Sequence, residues 1–255
     1  MGLFSKTKTV DIFFVGSEGT DLDRGIYAFY FNVDNGEIIK KSFVKSLASP
    51  LAMNKNGRFM YLTYRNGTGR AQDGGIWQYA CMEVQLGLAA RVGNEGRTYV
   101  QTILNKDSSY AYAIDYYNGE VVSVPIKTSK IIRVSKTVKL DGHSIDPVKQ
   151  TESHPTFMTF TPDNTKLVVT DLGGDEVLFF TEGEKGELIK DEELSFKLTP
   201  GSGPLKLVYS KNRKFAYILN QISSTITCYS VKHNKFTLID EVMTYSKDEY
   251  DGVNT

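Results

Sequence analysis

The sequence has no excess of charge of either sign, and only two of its 255 residues are cysteines. Lys and Arg total 30, as do Asp and Glu, so the composition gives no indication of binding to nucleic acid or to an anionic membrane. Cys81 and Cys228 are far apart and belong to no CxxC pair, which argues against a structural zinc site. We therefore expect no metal and no cofactor, and we interpret both cysteines as reduced thiols in core strands.

Long apolar segments are also missing. Residues Met1 to Ser5 are not followed by the apolar core of a signal peptide, so we expect a cytoplasmic protein with no membrane contact. The apolar fraction of 40% and the charged fraction of 24% are ordinary for a soluble globular protein.

Helical periodicity is almost absent. Short runs rich in Val, Ile, Tyr, Phe and Thr alternate instead with polar turns, a pattern typical of β-strands. Four segments superimpose, and each has an Asn or Asp turn followed by an apolar strand: residues 54–64, 105–115, 161–171 and 210–220. The equivalent turn residues recur about every 50 residues, and they are Asn56, Asp107, Asp163 and Asn212.

A period of this length with about four short strands in each repeat is the signature of a β-propeller. A four-stranded blade cannot bury both of its faces alone, so neighbouring blades must stack. Residues 11–16 and 25–30 fit as one more copy, which gives about five blades. The sequence therefore predicts an all-β protein with a single β-propeller domain over residues 1–255.

Equivalent positions of a propeller converge on one face around the central channel. The apolar strand of each repeat ends in a polar residue at what we call the turn-entry position: Tyr64, Asp115, Asp171 and Asn220. We expect these side chains to form a polar ring at that face.

Four segments carry a resemblance to a known family: Gln150-Thr151-Glu152-Ser153-His154-Pro155, Asp171-Leu172-Gly173-Gly174-Asp175, Pro200-Gly201-Ser202-Gly203-Pro204 and Asn220-Gln221. In order and spacing the whole chain resembles the propeller-type bacterial lactonases, whose named activity is 6-phosphogluconolactonase. The resemblance implies a seven-bladed fold, of which about five blades are present here. Either the ring closes with five blades, or the domain is incomplete at its carboxyl end and the last two blades follow residue 250. We favour the second interpretation.

The sequence departs from the family pattern at several polar positions. The family has Arg-Gln, then His-x-His, then Gly-x-Gly-Pro-Arg-His and Asn-Glu. Here Lys149 precedes Gln150, and His154 matches the first histidine. The substituted positions are Thr156 for the second histidine, Leu205-Lys206 for Arg-His, and Gln221 for Glu.

Lactone hydrolysis needs an activated water, stabilisation of the oxyanion and a proton for the departing alkoxide. The sequence has no GxSxG motif, so direct attack by water is the simpler hypothesis. The catalytic candidates are His154, Glu152 and Asp171. The substrate-binding candidates are Gln150, Asp115, Gly203, Lys206 and Asn220.

Each candidate also has a structural interpretation. His154 could hydrogen-bond a blade loop, Glu152 could be solvated, and Asp171 and Asp175 could organise a tight turn. The backbone N–H groups of residues 201–203, with Lys206, could bind a phosphate. A lysine does not replace the bidentate recognition that the family arginine offers.

Two functional hypotheses follow from the resemblance. The first is a lactonase that converts a small sugar lactone, 6-phosphogluconolactone, to 6-phosphogluconate in the pentose phosphate pathway. The second is a catalytically degenerate propeller that acts as a binding or interaction module. An open ring would in either case expose two blade faces, through which we expect self-association.

Overall fold

The structure is a computed structural model that describes residues 10–17, 25–45, 49–56, 58–66, 73–83 and 85–245. Residues 1–9, which bear on the signal-peptide prediction, and residues 246–255, where a further blade was expected to begin, lie outside this part of the chain. The described residues are β-strands and turns with one short 3-10 turn, Glu184–Gly186. Within them, no helix has the length and hydropathy that crossing a membrane requires. The predicted all-β fold is confirmed.

The strands of the described ranges form five antiparallel sheets, numbered here in chain order. Sheet 1 contains β1 (Val10–Ser17), β2 (Gly25–Asn32) and β3 (Ile38–Lys45). Sheet 2 contains β4 (Ser49–Asn56), β5 (Phe59–Asn66), β6 (Asp73–Met82) and β7 (Gln85–Glu95). Sheet 3 contains β8 (Tyr99–Leu104), β9 (Tyr110–Asp115), β10 (Glu120–Lys127), β11 (Lys130–Ile131) and β12 (Lys136–Lys139).

The remaining two sheets follow the same plan. Sheet 4 contains β13 (Pro155–Phe160), β14 (Leu167–Asp171), β15 (Glu176–Glu182), β16 (Leu188–Lys190) and β17 (Phe196–Lys197). Sheet 5 contains β18 (Pro204–Tyr209), β19 (Phe215–Asn220), β20 (Thr225–Lys232) and β21 (Lys235–Met243). The main path of each sheet pairs strands that are consecutive in sequence, as expected for propeller blades, and β12 and β17 add to β10 and β15.

Neighbouring sheets meet through the first strand of the later sheet. Strand β8 contacts β4 and β5, β13 contacts β8 and β9, and β18 contacts β13 and β14. The first strands of sheets 2 to 5 are therefore neighbours in space. In sheet 2, the second and third strands, β5 and β6, contact the first strand of the next sheet, β8. In sheet 1, β1 and β2 contact β4 in the same way, so β1 corresponds to the second strand of the other sheets.

The strand register confirms the repeat that the sequence predicted. Each turn-entry residue pairs with a residue at the start of the first strand of its sheet, the second residue in β4 and the first in β8, β13 and β18, and a bulge follows directly. The pairs are Pro50 with Tyr64, Tyr99 with Asp115, Pro155 with Asp171, and Pro204 with Asn220. The four positions are thus structurally equivalent.

The core lies between the sheets, because the second strands of sheets 3 and 4 bury side chains on both faces. In β9, Ala111 and Ala113 pack toward sheet 2, whereas Tyr112 and Ile114 pack toward sheet 4. Burying a side chain the size of Ile114 contributes about 1.5–3 kcal/mol to folding. Stacking of blades, rather than any single sheet, therefore supplies most of the apolar burial.

The outer face of sheet 5 is more exposed. Tyr217 and Leu219 of β19 are each 37% exposed, although the equivalent Tyr112 and Ile114 of β9 are fully buried. Val208 and Val242 are also exposed. Self-association through an open blade face would use this surface, and it stays a prediction.

The turn at Asp163, which opens the repeat in sheet 4, is expected to contribute to stability in a way that depends on pH. The Asp163 carboxylate accepts hydrogen bonds from the Thr161 hydroxyl (2.6 Å), the Thr165 hydroxyl (2.8 Å) and the Asn234 amide (3.1 Å). Partial burial opposes ionisation, but these bonds outweigh it and lower the pKa of Asp163 below its ordinary 3.8. A lowered pKa stabilises the fold above pH 4, and this contribution is lost as the pH falls toward the folded-state pKa.

We therefore expect Asp163→Asn to lose less stability than the wild type between pH 7 and pH 3, by less than about 1 kcal/mol because the site is exposed. Asparagine suits the turn, since Asn212 occupies the equivalent position and accepts bonds from Ser210 and Lys214. Urea unfolding at both pH values measures the difference. Equal pH dependence of the two proteins would contradict the assignment.

Candidate functional site

The turn after each second strand touches the residue that precedes the first strand of the same sheet. The first residue of the turn donates its N–H to the carbonyl of that preceding residue. These pairs are Tyr116 with Thr98 (3.1 Å), Leu172 with His154 (3.0 Å), and Gln221 with Gly203 (2.7 Å). The motifs singled out in the sequence therefore meet at one end of the sheets.

His154 lies where the loop from sheet 3 enters sheet 4. Its backbone N–H donates to Asp171 Oδ1 at 2.6 Å. The imidazole stacks on the Tyr116 ring, with centroids 4.6 Å apart and planes 14° apart, and its Nδ1 is 3.1 Å from the Tyr116 carbonyl oxygen. Only 7% of His154 is exposed, and the ring of Tyr117 faces it edge-on at 6.4 Å. The side chain is held on two sides.

Asp171 is fully buried beneath this loop. Besides the His154 N–H, its Oδ1 accepts the Gly173 N–H at 3.1 Å. Burial raises the pKa of Asp171, against smaller opposing contributions from the adjacent Ser153 hydroxyl and the two N–H groups. In this geometry the carboxylate holds the backbone of His154 and is buried, and a catalytic role of Asp171 stays a prediction.

Asp115 repeats this arrangement in sheet 3. Its Oδ1 accepts the Thr98 N–H at 3.1 Å, and its Oδ2 accepts the Asn118 amide at 3.0 Å and lies 3.4 Å from Arg97 Nη1. The Arg97 guanidinium also pairs with Glu120. Asp115 is fully buried and organises the turn, and its role in substrate binding stays a prediction.

Gln150 ties the long loop before sheet 4 to the turn after Asp171. Its Nε2 donates to the Leu172 carbonyl at 2.9 Å, and its Oε1 accepts the Asp146 N–H at 3.1 Å. The residue is fully buried and both ends of its amide are occupied. Gln150 therefore shapes the loop, and its contact with substrate stays a prediction.

The loop between sheets 4 and 5 binds the carboxylate of Asp175, which lies in the turn between β14 and β15. Asp175 accepts the Gly201 N–H at 2.7 Å and the Gly203 N–H at 2.6 Å, one on each carboxylate oxygen. The Ser202 N–H donates to the Thr199 carbonyl. The N–H groups of Gly201 and Gly203, which the sequence offered for a phosphate, are thus bound within the protein, and the substrate-binding role of Gly203 stays a prediction. The turn-organising interpretation of Asp175 is confirmed.

Two further candidates lie on sheet 5. Lys206 is exposed, and its ammonium lies 5.6 Å from the centre of the Phe157 ring. Asn220 is fully buried and donates to the Thr225 and Thr227 hydroxyls at 3.0 and 2.7 Å, and its contact with substrate stays a prediction. Lys206 alone of this pair is accessible to a ligand.

Thr156, at the position of the second family histidine, bridges two sheets. Its hydroxyl donates to the Pro204 carbonyl at 2.9 Å and lies 3.0 Å from the Thr170 hydroxyl. This chain therefore has a contact between sheets 4 and 5 at that position.

Glu152 is half-buried in the loop that precedes His154. Its backbone packs against Gly173, where an added Cβ would overlap the Glu152 carbonyl oxygen and lie 2.9 Å from the His154 nitrogen. The glycine of the Asp-Leu-Gly motif is therefore needed for this close approach. Its effect is to hold Glu152 and His154 next to the turn.

The sequence reasoning missed Tyr116 and Tyr117, which form the aromatic surroundings of His154. Their signal was visible as a pair of tyrosines directly after the turn-entry residue Asp115. Over the described stretches, no group of three or more His, Cys, Asp or Glu side chains is arranged to hold a metal ion.

Comparisons with known proteins agree with this fold. A family model described as lactonase, 7-bladed beta-propeller, matches residues 12–255. A 6-phosphogluconolactonase of Formosa agariphila is 24% identical over 234 residues, which cover 88% of this chain and 65% of that protein.

Solved structures give the same result. A Bacteroides fragilis protein, provisionally named a 6-phosphogluconolactonase, superimposes with a TM-score of 0.80 at 23% identity, over 95% of this chain and 70% of its own. The periplasmic gluconolactonase of Pseudomonas aeruginosa superimposes with a TM-score of 0.77 at 18% identity, over 93% and 69%. The chain spans about two thirds of the length of these relatives. The family match covers nearly all of the described strands, and the chain therefore belongs to the lactonase family of seven-bladed β-propellers.

Proposed function

We propose that this protein hydrolyses a sugar-derived lactone by direct attack of water, with His154 as the base. The observation that carries the proposal is the fixed imidazole of His154, which is held by Tyr116 and by the Asp171 contact to its own backbone. Its Nε2 has no hydrogen-bond partner among the described residues. A histidine suits proton transfer near neutral pH.

His154 alone can carry out both proton transfers that the hydrolysis needs. Water attacks the lactone carbonyl carbon while His154 accepts its proton, and the carbonyl oxygen becomes an oxyanion. Collapse of this intermediate breaks the bond between the carbonyl carbon and the ring oxygen. The departing alkoxide then takes the proton from the imidazolium, which restores neutral His154 and releases the open-chain acid.

Glu152 is a second group for this chemistry. It precedes His154 by two residues in the same loop and is half-buried. We propose that its carboxylate stabilises the imidazolium as it forms. The buried Asp171 acts one step further away, by fixing the backbone on which His154 is carried.

Two substrates are candidates. Relatives named 6-phosphogluconolactonases support 6-phosphogluconolactone, the substrate that the sequence resemblance implied. Asp175 favours an unphosphorylated sugar lactone, because its carboxylate occupies the N–H groups of Gly201 and Gly203. A phosphate there would have to displace a buried anion and would be repelled by it.

A comparison of both lactones tests the proposal. We expect hydrolysis of fresh glucono-1,5-lactone above the spontaneous rate, with kcat/KM at least about tenfold higher than for its 6-phosphate, which corresponds to about 1.4 kcal/mol. A pH-stat records acid release from both. Lys206→Gln is the matched control, because it should lower only the activity on the phosphorylated lactone if Lys206 binds phosphate. Rates equal to spontaneous hydrolysis for both lactones would refute the proposal.

The alternative is a degenerate propeller that binds a partner without catalysis. The inter-sheet bridge made by Thr156 supports it, since a family histidine is replaced by a structural contact. The same assay separates the two functions. Cytoplasmic localisation stays a prediction, as do the expected absences of membrane and nucleic-acid partners.

A further inference from the structure

We propose that Tyr116 is a positioning residue that selects the proton-accepting nitrogen of His154 and fixes the plane of its ring. Tyr116 lies in the turn of sheet 3, whereas His154 enters sheet 4, so the contact crosses between two sheets. The catalytic significance of this contact rests on the proposed function. The contact itself can be measured independently of any activity.

The backbone carbonyl of Tyr116 decides the tautomer. A carbonyl oxygen only accepts hydrogen bonds, so the Nδ1 that lies 3.1 Å from it must carry the proton in the neutral imidazole. The lone pair is then on Nε2, which has no hydrogen-bond partner among the described residues. The acceptor for the proton of an attacking water is therefore Nε2.

The aromatic rings decide the orientation. The Tyr116 ring covers one face of the imidazole at 4.6 Å and 14°, and Tyr117 stands nearly perpendicular to it at 83°. Tyr116 and Tyr117 also pack edge to face, with centroids 5.0 Å apart. Stacked and edge-to-face pairs of this kind each contribute about 0.5–1.5 kcal/mol beyond burial. Rotation of the imidazole about its side-chain bonds would break its stack on Tyr116 and its edge contact with Tyr117.

Tyr116 is itself anchored. Its N–H donates to the Thr98 carbonyl at 3.1 Å, and the Thr98 N–H in turn donates to Asp115. Burial raises the pKa of the Tyr116 phenol, with further increases from Tyr117 and Asp171, so the ring stays neutral at physiological pH. Asp115, which the sequence placed in the substrate site, thus contributes to His154 through this chain of contacts.

The same carbonyl also serves the protonated state. When Nε2 accepts a proton, the imidazolium keeps its Nδ1–H bond to the Tyr116 oxygen, and that bond becomes charge-assisted and stronger. The ring therefore needs no rearrangement between accepting the proton from water and returning it to the departing alkoxide.

Nitrogen-15 NMR of the imidazole resonances tests the inference in the whole chain, with His154→Gln used to assign the His154 signals. We expect the neutral wild-type ring to be the Nδ1–H tautomer. Tyr116→Phe keeps the ring stack and the carbonyl, so its tautomer should be unchanged and kcat should stay within about twofold. Tyr116→Leu keeps the carbonyl but removes the ring that holds the imidazole plane against it, so the Nδ1–H bond to the carbonyl should form only part of the time. The His154 signals should then average between tautomers, and kcat should fall at least about tenfold with KM little changed.

The outcomes separate this inference from the proposed function. An Nε2–H tautomer in the wild type, or the wild-type tautomer and kcat in Tyr116→Leu, would overturn the positioning role even if the lactone is hydrolysed. An Nδ1–H tautomer that is lost in Tyr116→Leu, in a protein that hydrolyses neither lactone, would refute the function and leave the positioning contact established.

Discussion

Replacing His154 with glutamine is expected to reduce kcat/KM for lactone hydrolysis by about 100-fold or more, the range that general acid–base groups contribute. Glutamine can still form hydrogen bonds, but it cannot take a proton from the attacking water at neutral pH. The contact to Asp171 is made by the backbone N–H of residue 154, so the substitution leaves it in place. Initial rates in a pH-stat, corrected for spontaneous hydrolysis, measure the loss.

The other histidines provide the matched control. His233 lies in the exposed hairpin turn between β20 and β21, and His233→Gln should leave the rate within about twofold of the wild type, since exposed substitutions of this kind change stability by at most about 0.5 kcal/mol. Thermal unfolding of both variants shows whether the fold is retained. A His154→Gln protein that is folded and fully active would rule out His154 as the base and favour the binding-module alternative.

The fold could be predicted because the same pattern of a polar turn followed by an apolar strand recurs along the sequence. Asp107, Asp163 and Asn212 occupy equivalent turns, and the strands that follow them reach equivalent turn-entry positions. Only blade stacking buries both faces of such strands, which led directly to a propeller. The correspondence of β1 to a second strand was not visible, since it depends on contacts between sheets rather than on local pattern.

The site was harder to predict, because a polar residue in a repeat does not reveal its partner. Asp171 and Asp115 were expected to face the channel. In the structure each carboxylate accepts a hydrogen bond from a backbone N–H group, Asp171 from His154 and Asp115 from Thr98. Asp175 fills the donors of a loop that sequence alone offers to a phosphate. Such choices depend on distances between loops that are 17 to 28 residues apart.

His154 and Gly173 could be singled out from the sequence because of their residue types, and the catalytic role of His154 stays a prediction. His154 is one of three histidines, so its place in a repeated loop stood out. Gly173 belongs to the Asp-Leu-Gly motif, and a Cβ at this position would overlap the Glu152 carbonyl oxygen. Tyr116 escaped notice because aromatic residues are common in strands, and its stacking partner comes from the next sheet.

Gly173→Ala is expected to be the most damaging single-methyl change in the site. The new Cβ would overlap the carbonyl oxygen of Glu152 and lie 2.8 Å from its carbonyl carbon and 2.9 Å from the His154 nitrogen. Backbone atoms on both sides cannot move aside as a flexible side chain would. We expect a loss of about 3 kcal/mol or more in the free energy of unfolding, at or above the upper range for overpacking.

The matched control is Gly87→Ala, which has open space around its Cβ in β7. Neither glycine has a positive φ, so the two variants differ in steric surroundings and not in backbone strain. Alanine at 87 should be neutral or slightly stabilising, because it reduces the entropy of the unfolded chain. Urea unfolding compares both variants with the wild type. Because Gly173 packs on the loop that carries His154, any folded Gly173→Ala protein should also lose activity, and equal stability of the two variants would contradict the close approach.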